Sequence, residues 1–171
     1  MRKPSIPSTL LIPSPLSRAK TPGCRVWRLL SLSALCAAGA ASAQMTPVGT
    51  WRSVDENGQP KAQVRIEAHG EGANATLTGR IEKVLKAGAD PKAVCDKCEG
   101  AKKDKPVAGL EIISGAKKKE GADVWEGGRI LDPEKGSDYS LRLTPIEGGA
   151  KLQVRGAIGP FARTQTWQRV H

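Results

Sequence analysis

Apolar and polar residues alternate with a period of two along most of this chain, and no other feature restricts its fold so tightly. Val64, Ile66 and Ala68 alternate with Gln63, Arg65 and Glu67, and Leu77, Gly79 and Ile81 alternate with Thr76, Thr78 and Arg80. Tyr139, Leu141 and Leu143 do so with Ser140, Arg142 and Thr144, and Leu152, Val154, Gly156 and Ile158 repeat the pattern. Such spacing puts the apolar set on one face of a strand, with the other face in water. Asp55-Glu56-Asn57-Gly58, Glu134-Lys135-Gly136 and Glu147-Gly148-Gly149 supply the turns, and links this short join antiparallel neighbours because parallel strands need a long crossover. No segment carries an amphipathic helical stripe; Lys83 to Gly88 is the single place where a turn of helix is expected.

Strands are expected near Gly49–Val54, Gln63–His69, Ala75–Leu85, Val107–Ser114, Asp123–Leu131, Ser137–Thr144, Lys151–Ile158 and Thr164–Val170. Eight is the number at which an up-and-down barrel closes with an interior that side chains fill or that holds one small ligand. The first and last runs each carry a tryptophan, Trp51 and Trp167, and pairing those runs removes two exposed edges at once. The expected fold is all-β, an eight-stranded antiparallel up-and-down barrel, with a two-sheet β-sandwich as the alternative because strand count alone does not separate them.

Residues 1–43 read as an export signal and are set aside from the fold. Arg25 and Arg28 precede the apolar stretch Leu29 to Ala40, and Ala41-Ser42-Ala43 supplies the small side chains of a cleavage site, predicting Gln44 as the mature N-terminus and a periplasmic location. The apolar stretch is too short for a membrane span. Leu35 precedes Cys36 where a lipoprotein signal wants a small residue, so ordinary cleavage is expected. The segment holds six of the 27 Lys and Arg and none of the 17 acidic residues, so residues 44–171, a single domain, carry 21 basic side chains against 17 acidic. That small excess sits in turns (Lys102, Lys103, Lys105, Lys117 to Lys119) with no interleaved aromatics, so nucleic acid is not expected as a partner.

Two cysteines remain after the signal, Cys95 and Cys98. In an exported chain they are expected to form a disulfide that pins the long connection from Lys86 to Lys105. A redox-active pair would want a helix start to lower the first thiol's pKa, which Glu99-Gly100-Ala101-Lys102-Lys103 does not offer, and zinc would want further ligands beyond His69 and His171. Neither metal nor cofactor is expected. Within Trp125-Glu126-Gly127-Gly128-Arg129-Ile130-Leu131-Asp132-Pro133 the paired glycines mark a bulge, a bend of the wall, or a close approach of ligand or backbone. Simple alternation puts Trp125 and Arg129 on one face and Glu126 on the other. Arg155 has the opposite parity to Leu152, Val154 and Ile158, which places it outward or at a rim within reach of Glu126. Trp125, Arg129, Tyr139 and Arg155 are the candidate ligand-binding residues. No nucleophile-base context and no phosphate-cradling loop ahead of a helix occurs, so an enzyme is not expected.

Several motifs in series carry a family resemblance. Gly49-x-Trp51, Val94-Cys95-Asp96-Lys97-Cys98, Lys105-Pro106-x-x-Gly109-Leu110, the Trp125 to Pro133 run, Val154-Arg155-Gly156 and Arg163-Thr164-Gln165-Thr166-Trp167 together resemble the exported bacterial family known as domain of unknown function 2147. The likeness spans essentially all of the chain after the signal. That family resembles the calycins, the group of small barrels that includes lipocalins and avidins, which implies the eight-stranded barrel and supplies no activity. By the same resemblance, Trp51 packs across a closed end with an arginine of the last strand lying on it; Arg163 and Arg169 are the candidates, with Trp167 beside them in the closure.

Two functions fit these readings. One is a binder of a small apolar or amphipathic molecule at the barrel's open end. The other is an envelope interaction protein with a filled barrel, whose outer face or Gly159-Pro160-Phe161 loop meets another protein or a cell-wall polymer.

Overall fold

The computed structural model describes residues 45–171; the expected export signal and its cleavage site lie outside the described residues. Eight strands follow one another, β1 (Gly49–Val54), β2 (Pro60–His69), β3 (Thr76–Val84), β4 (Glu111–Lys118), β5 (Trp125–Asp132), β6 (Ser137–Ile146), β7 (Lys151–Ile158) and β8 (Phe161–Arg169). Each pairs antiparallel with the next, and β1 pairs with β8 through Trp51↔Arg169 and Arg52↔Gln168, so the sheet closes on itself. A barrel, not a sandwich, is therefore the outcome. Between Lys83 and Gly88 β3 runs on to Val84 and then turns; the helical turns are short 3-10 turns at Gly72–Asn74, Gly100–Lys102 and Glu147–Gly149.

The period-two stripes point into the lumen. Val64, Ile66, Leu77, Ile81, Leu141, Leu143, Leu152 and Val154 are all buried there. At one end of the barrel lie the chain's first described residues, the β6–β7 turn and the end of β8. Trp51 is fully buried at that end and donates from Nε1 to the Pro47 carbonyl at 2.6 Å. Arg169 stacks over it, 4.2 Å from the ring centroid. Its guanidinium donates to the carbonyls of Gly149 at 2.6 Å, Val48 at 2.9 Å and Thr46 at 2.7 Å, so three chain segments are tied together across a closed end.

The opposite end carries the β1–β2, β5–β6 and β7–β8 turns and the long β3–β4 connection, residues 85–110. β4 starts four residues later than the alternation suggests because Val107 belongs to this connection, where its N–H donates to the Ala93 carbonyl at 2.9 Å. β4 also continues past Gly115, which takes φ +74° and sits in the strand as an irregularity instead of ending it. Cys95 and Cys98 are disulfide-bonded and buried within the connection.

Candidate functional site

The bulge in β5 decides which side chains face the lumen. Trp125 pairs with Leu143, Glu126 with Arg142, and Gly128 with Leu141, which leaves Gly127 as an extra residue at φ +78°. An extra residue inverts the alternation beyond it. Trp125, Gly128 and Ile130 therefore face inward while Arg129 faces out, where its Nη2 donates to the Asp138 carbonyl at 3.1 Å. Leu131 faces outward too, as does Ile112 beside the Ile113↔Ile130 pair, yet they are only 4% and 7% exposed. They belong to the same buried cluster as Cys95, Cys98 and Leu110, so the disulfide-pinned connection is seated on an apolar patch of the outer rim.

From that rim a cavity of about 540 Å³ runs into the lumen. Its deeper wall is Ala62, Ile81, Ile130, Val154 and Trp167; the connection adds Ala89, Ala93, Val94 and Val107. The polar lining includes Ser53, whose hydroxyl is engaged with the Ala62 backbone at 3.1 Å, together with Tyr139, Arg163 and Gln165. Where the mouth meets the connection, Glu134 accepts from Lys86 at 2.7 Å and pairs with Lys61 at 3.1 Å, and Lys61 also reaches Asp132 at 3.4 Å. The hydrogen bond from Lys86, with Lys61 adding to it against a smaller opposing effect of burial, holds the Glu134 carboxyl below its ordinary value. The same bond raises Lys86. Cys95 Sγ lies 3.3 Å from the Pro133 carbonyl, so the connection and the β5–β6 turn are held together by both charge and packing.

A family model described as "Uncharacterized protein conserved in bacteria (DUF2147)" matches residues 49–169. The chain belongs to this family. Among solved structures, a protein from the human pathogen Helicobacter pylori, described as belonging to the lipocalin family, shares the fold of this DUF2147 chain with a TM-score of 0.56. The likeness covers 72% of this chain and 82% of that one at 14% sequence identity, a level that speaks for the fold alone. No curated protein sequence is significantly similar to this chain.

Of the four candidate binding residues, the DUF2147 barrel puts Tyr139 in the cavity wall and the other three outside it. Trp125 is buried near the closed end, with Lys118 Nζ 5.3 Å from its ring centroid. Arg129 is on the outer face, so the shared face expected for it and Trp125 is corrected by the extra residue at Gly127. Arg155 is outside as well, directly opposite Arg142; the partners of Glu126 are Arg142 at 2.9 Å and Lys119 at 3.4 Å, not Arg155. Among the residues assigned to closure, Trp51 and Arg169 occupy the closed end. Trp167 lines the cavity, and Arg163 stands at the mouth, paired with Glu56 of the β1–β2 turn. Gln165 also lines the cavity, and its place between Arg163 and Trp167 in one parity class is the signal for it in the sequence. The Lys61–Glu134–Lys86 contact joins residues far apart in the chain, and nothing local announces it.

Proposed function

We propose that this protein is an exported, non-catalytic barrel that carries a small apolar or amphipathic molecule in the periplasm, with residues 1–43 removed after Ala43. The observation that carries the reading is the cavity of about 540 Å³, apolar in its depth and polar at its mouth. That volume lies within the roughly 300–1,000 Å³ usual for small-molecule sites, which are mostly apolar with a few polar groups that fix orientation. A barrel filled by its own side chains would not leave such a space. Native mass spectrometry of the protein isolated from the cell envelope tests the proposal. A co-purifying small mass on a chain beginning at Gln44 is the expected result; a chain that is empty and takes up no hydrophobic probe counts against it.

The second reading, an envelope interaction protein, draws its support from Ile158 and Phe161. They pair across the β7–β8 turn and are 52% and 75% exposed, which makes that turn an apolar tip beside the mouth. Such a tip suits contact with a partner protein or cell-wall polymer, and it is compatible with a loaded barrel.

A further inference from the structure

Tyr139, Arg163 and Gln165 bring hydrogen-bond donors together on the cavity wall. Resting on the reading of this barrel as a small-molecule binder, we infer that its ligand is a single-chain amphiphile with an anionic head. The head lies at the mouth against Arg163, Tyr139 and Gln165, and the tail runs down toward Trp167.

Gly156 of β7 makes the arrangement possible. It lies directly opposite Arg163, and a Cβ at this position would stand 3.4 Å from the Tyr139 Cβ. With no side chain there, a notch is left between the phenol and the guanidinium. The Tyr139 hydroxyl has no protein partner among the described residues. Gln165 accepts at its Oε1 from Trp167 Nε1 at 3.2 Å, and that bond orients its amide nitrogen as a donor to the cavity. Arg163 brings a fork of donors and no acceptor. Its one partner among the described residues, Glu56, is 68% exposed on a turn, and an ion pair that open to water is easily exchanged.

Charge around the cavity agrees. Lys61, Lys86, Lys97, Lys135 and Arg163 line it against three carboxylates, Asp96, Asp132 and Glu134, and Glu56 faces Arg163 from the β1–β2 turn, which leaves a small positive excess. A cationic head would meet this excess unfavourably, and a neutral head would accept from the donors of the Gly156 notch without the strengthening that a charged acceptor brings. Below the notch, Ile81, Ile130, Val154 and Trp167 offer apolar surface. Arg163 and Trp167 are four residues apart on β8, about 13 Å of strand, room for an acyl chain of moderate length.

The test compares dodecanoate with dodecanol by calorimetric titration of the purified protein at neutral pH. Dodecanoate is expected to bind about tenfold or more tightly, the gain of a charge-assisted contact in a partly desolvated site. In Arg163→Met, a rim substitution that spares the core, the two affinities should converge. In Glu56→Gln, which frees the guanidinium from its competitor, dodecanoate should bind more tightly than in the wild type. Equal affinities for the acid and the alcohol in the wild type overturn the anionic head and leave the cavity reading standing. Failure of both molecules to bind overturns both readings.

Discussion

Arg169 does several jobs with one side chain, and each comes from a different chemical property of the guanidinium. Its planar face lies on Trp51, a cation–π contact, while its edge donates to three backbone carbonyls. Partial burial lowers its pKa, but a guanidinium stays protonated, so the closed end keeps its charge. Arg169→Ala should cost about 2–4 kcal/mol, because the carbonyls lose a charged donor and the indole loses its cover. Arg169→Lys should recover only part of this, since an ammonium cannot span the same fork; urea melts of the two variants measure the difference. The tryptophans separate in a similar way. Trp125 is buried away from the cavity and Trp167 lines it. Trp125→Ala is expected to destabilise the fold by about 3–5 kcal/mol with little change in the affinity of the remaining folded protein for a bound amphiphile. Trp167→Ala should change that affinity, and a titration of both variants that gave the reverse order would contradict the placement of the site.

At the scale of elements, the β5 bulge and the long connection shape the mouth. The bulge turns Arg129 outward, and the outward Ile112 and Leu131 give the connection an apolar seat. Gly136, at φ +67°, lies where the β5–β6 turn meets the connection, and a Cβ there would run into the Lys97 carbonyl oxygen. Gly136→Ala therefore forces the connection to shift as well as straining the turn. The expected result is faster amide exchange from Cys95 to Lys105, where the Cys95 N–H normally donates to the Lys105 carbonyl at 2.8 Å, with the strand ladders unchanged. Charge holds the same junction. Because Glu134 is lowered from an ordinary 4.5, the stability its pairing confers is complete above that pH and is lost as pH falls through the lowered value. Lys86 is raised from 10.5, so its contribution is complete below that pH and is lost as pH rises through the raised value. Acid should thus loosen the connection before the barrel. Amide exchange corrected for its intrinsic pH dependence would show this, and a connection as protected in acid as at neutral pH would argue that packing alone holds it.

Across the whole molecule, the barrel was legible because alternation and turns are local signals repeated strand after strand, and the tryptophans at either extreme hinted at the seam. The bounds of β1 and β7 follow from the sequence alone. The site was less legible, for physical reasons that differ by residue. The sense of Arg129 depends on one inserted glycine, the position of Arg163 on which end of β8 forms the mouth, and the Lys61–Glu134 pair on a contact made only after closure. Closure itself leaves a mark on stability. β6 and β7 share seven register pairs, whereas β1 and β8 share two, supplemented by the Val170 N–H donating to the Thr50 carbonyl at 2.9 Å. With so short a ladder, the seam relies on Arg169 and on the packing of Trp51 more than on backbone hydrogen bonds. It is also the contact most distant in sequence, and so the one whose loop entropy is largest. Native-state hydrogen exchange should find the amide of Val170, which donates across the seam, opening at lower free energy than those at the centre of the β6–β7 ladder. Arg169→Ala should widen that gap. Equal opening energies at seam and ladder would mean that the cylinder unfolds as a single unit, with the closed end contributing no weak point of its own.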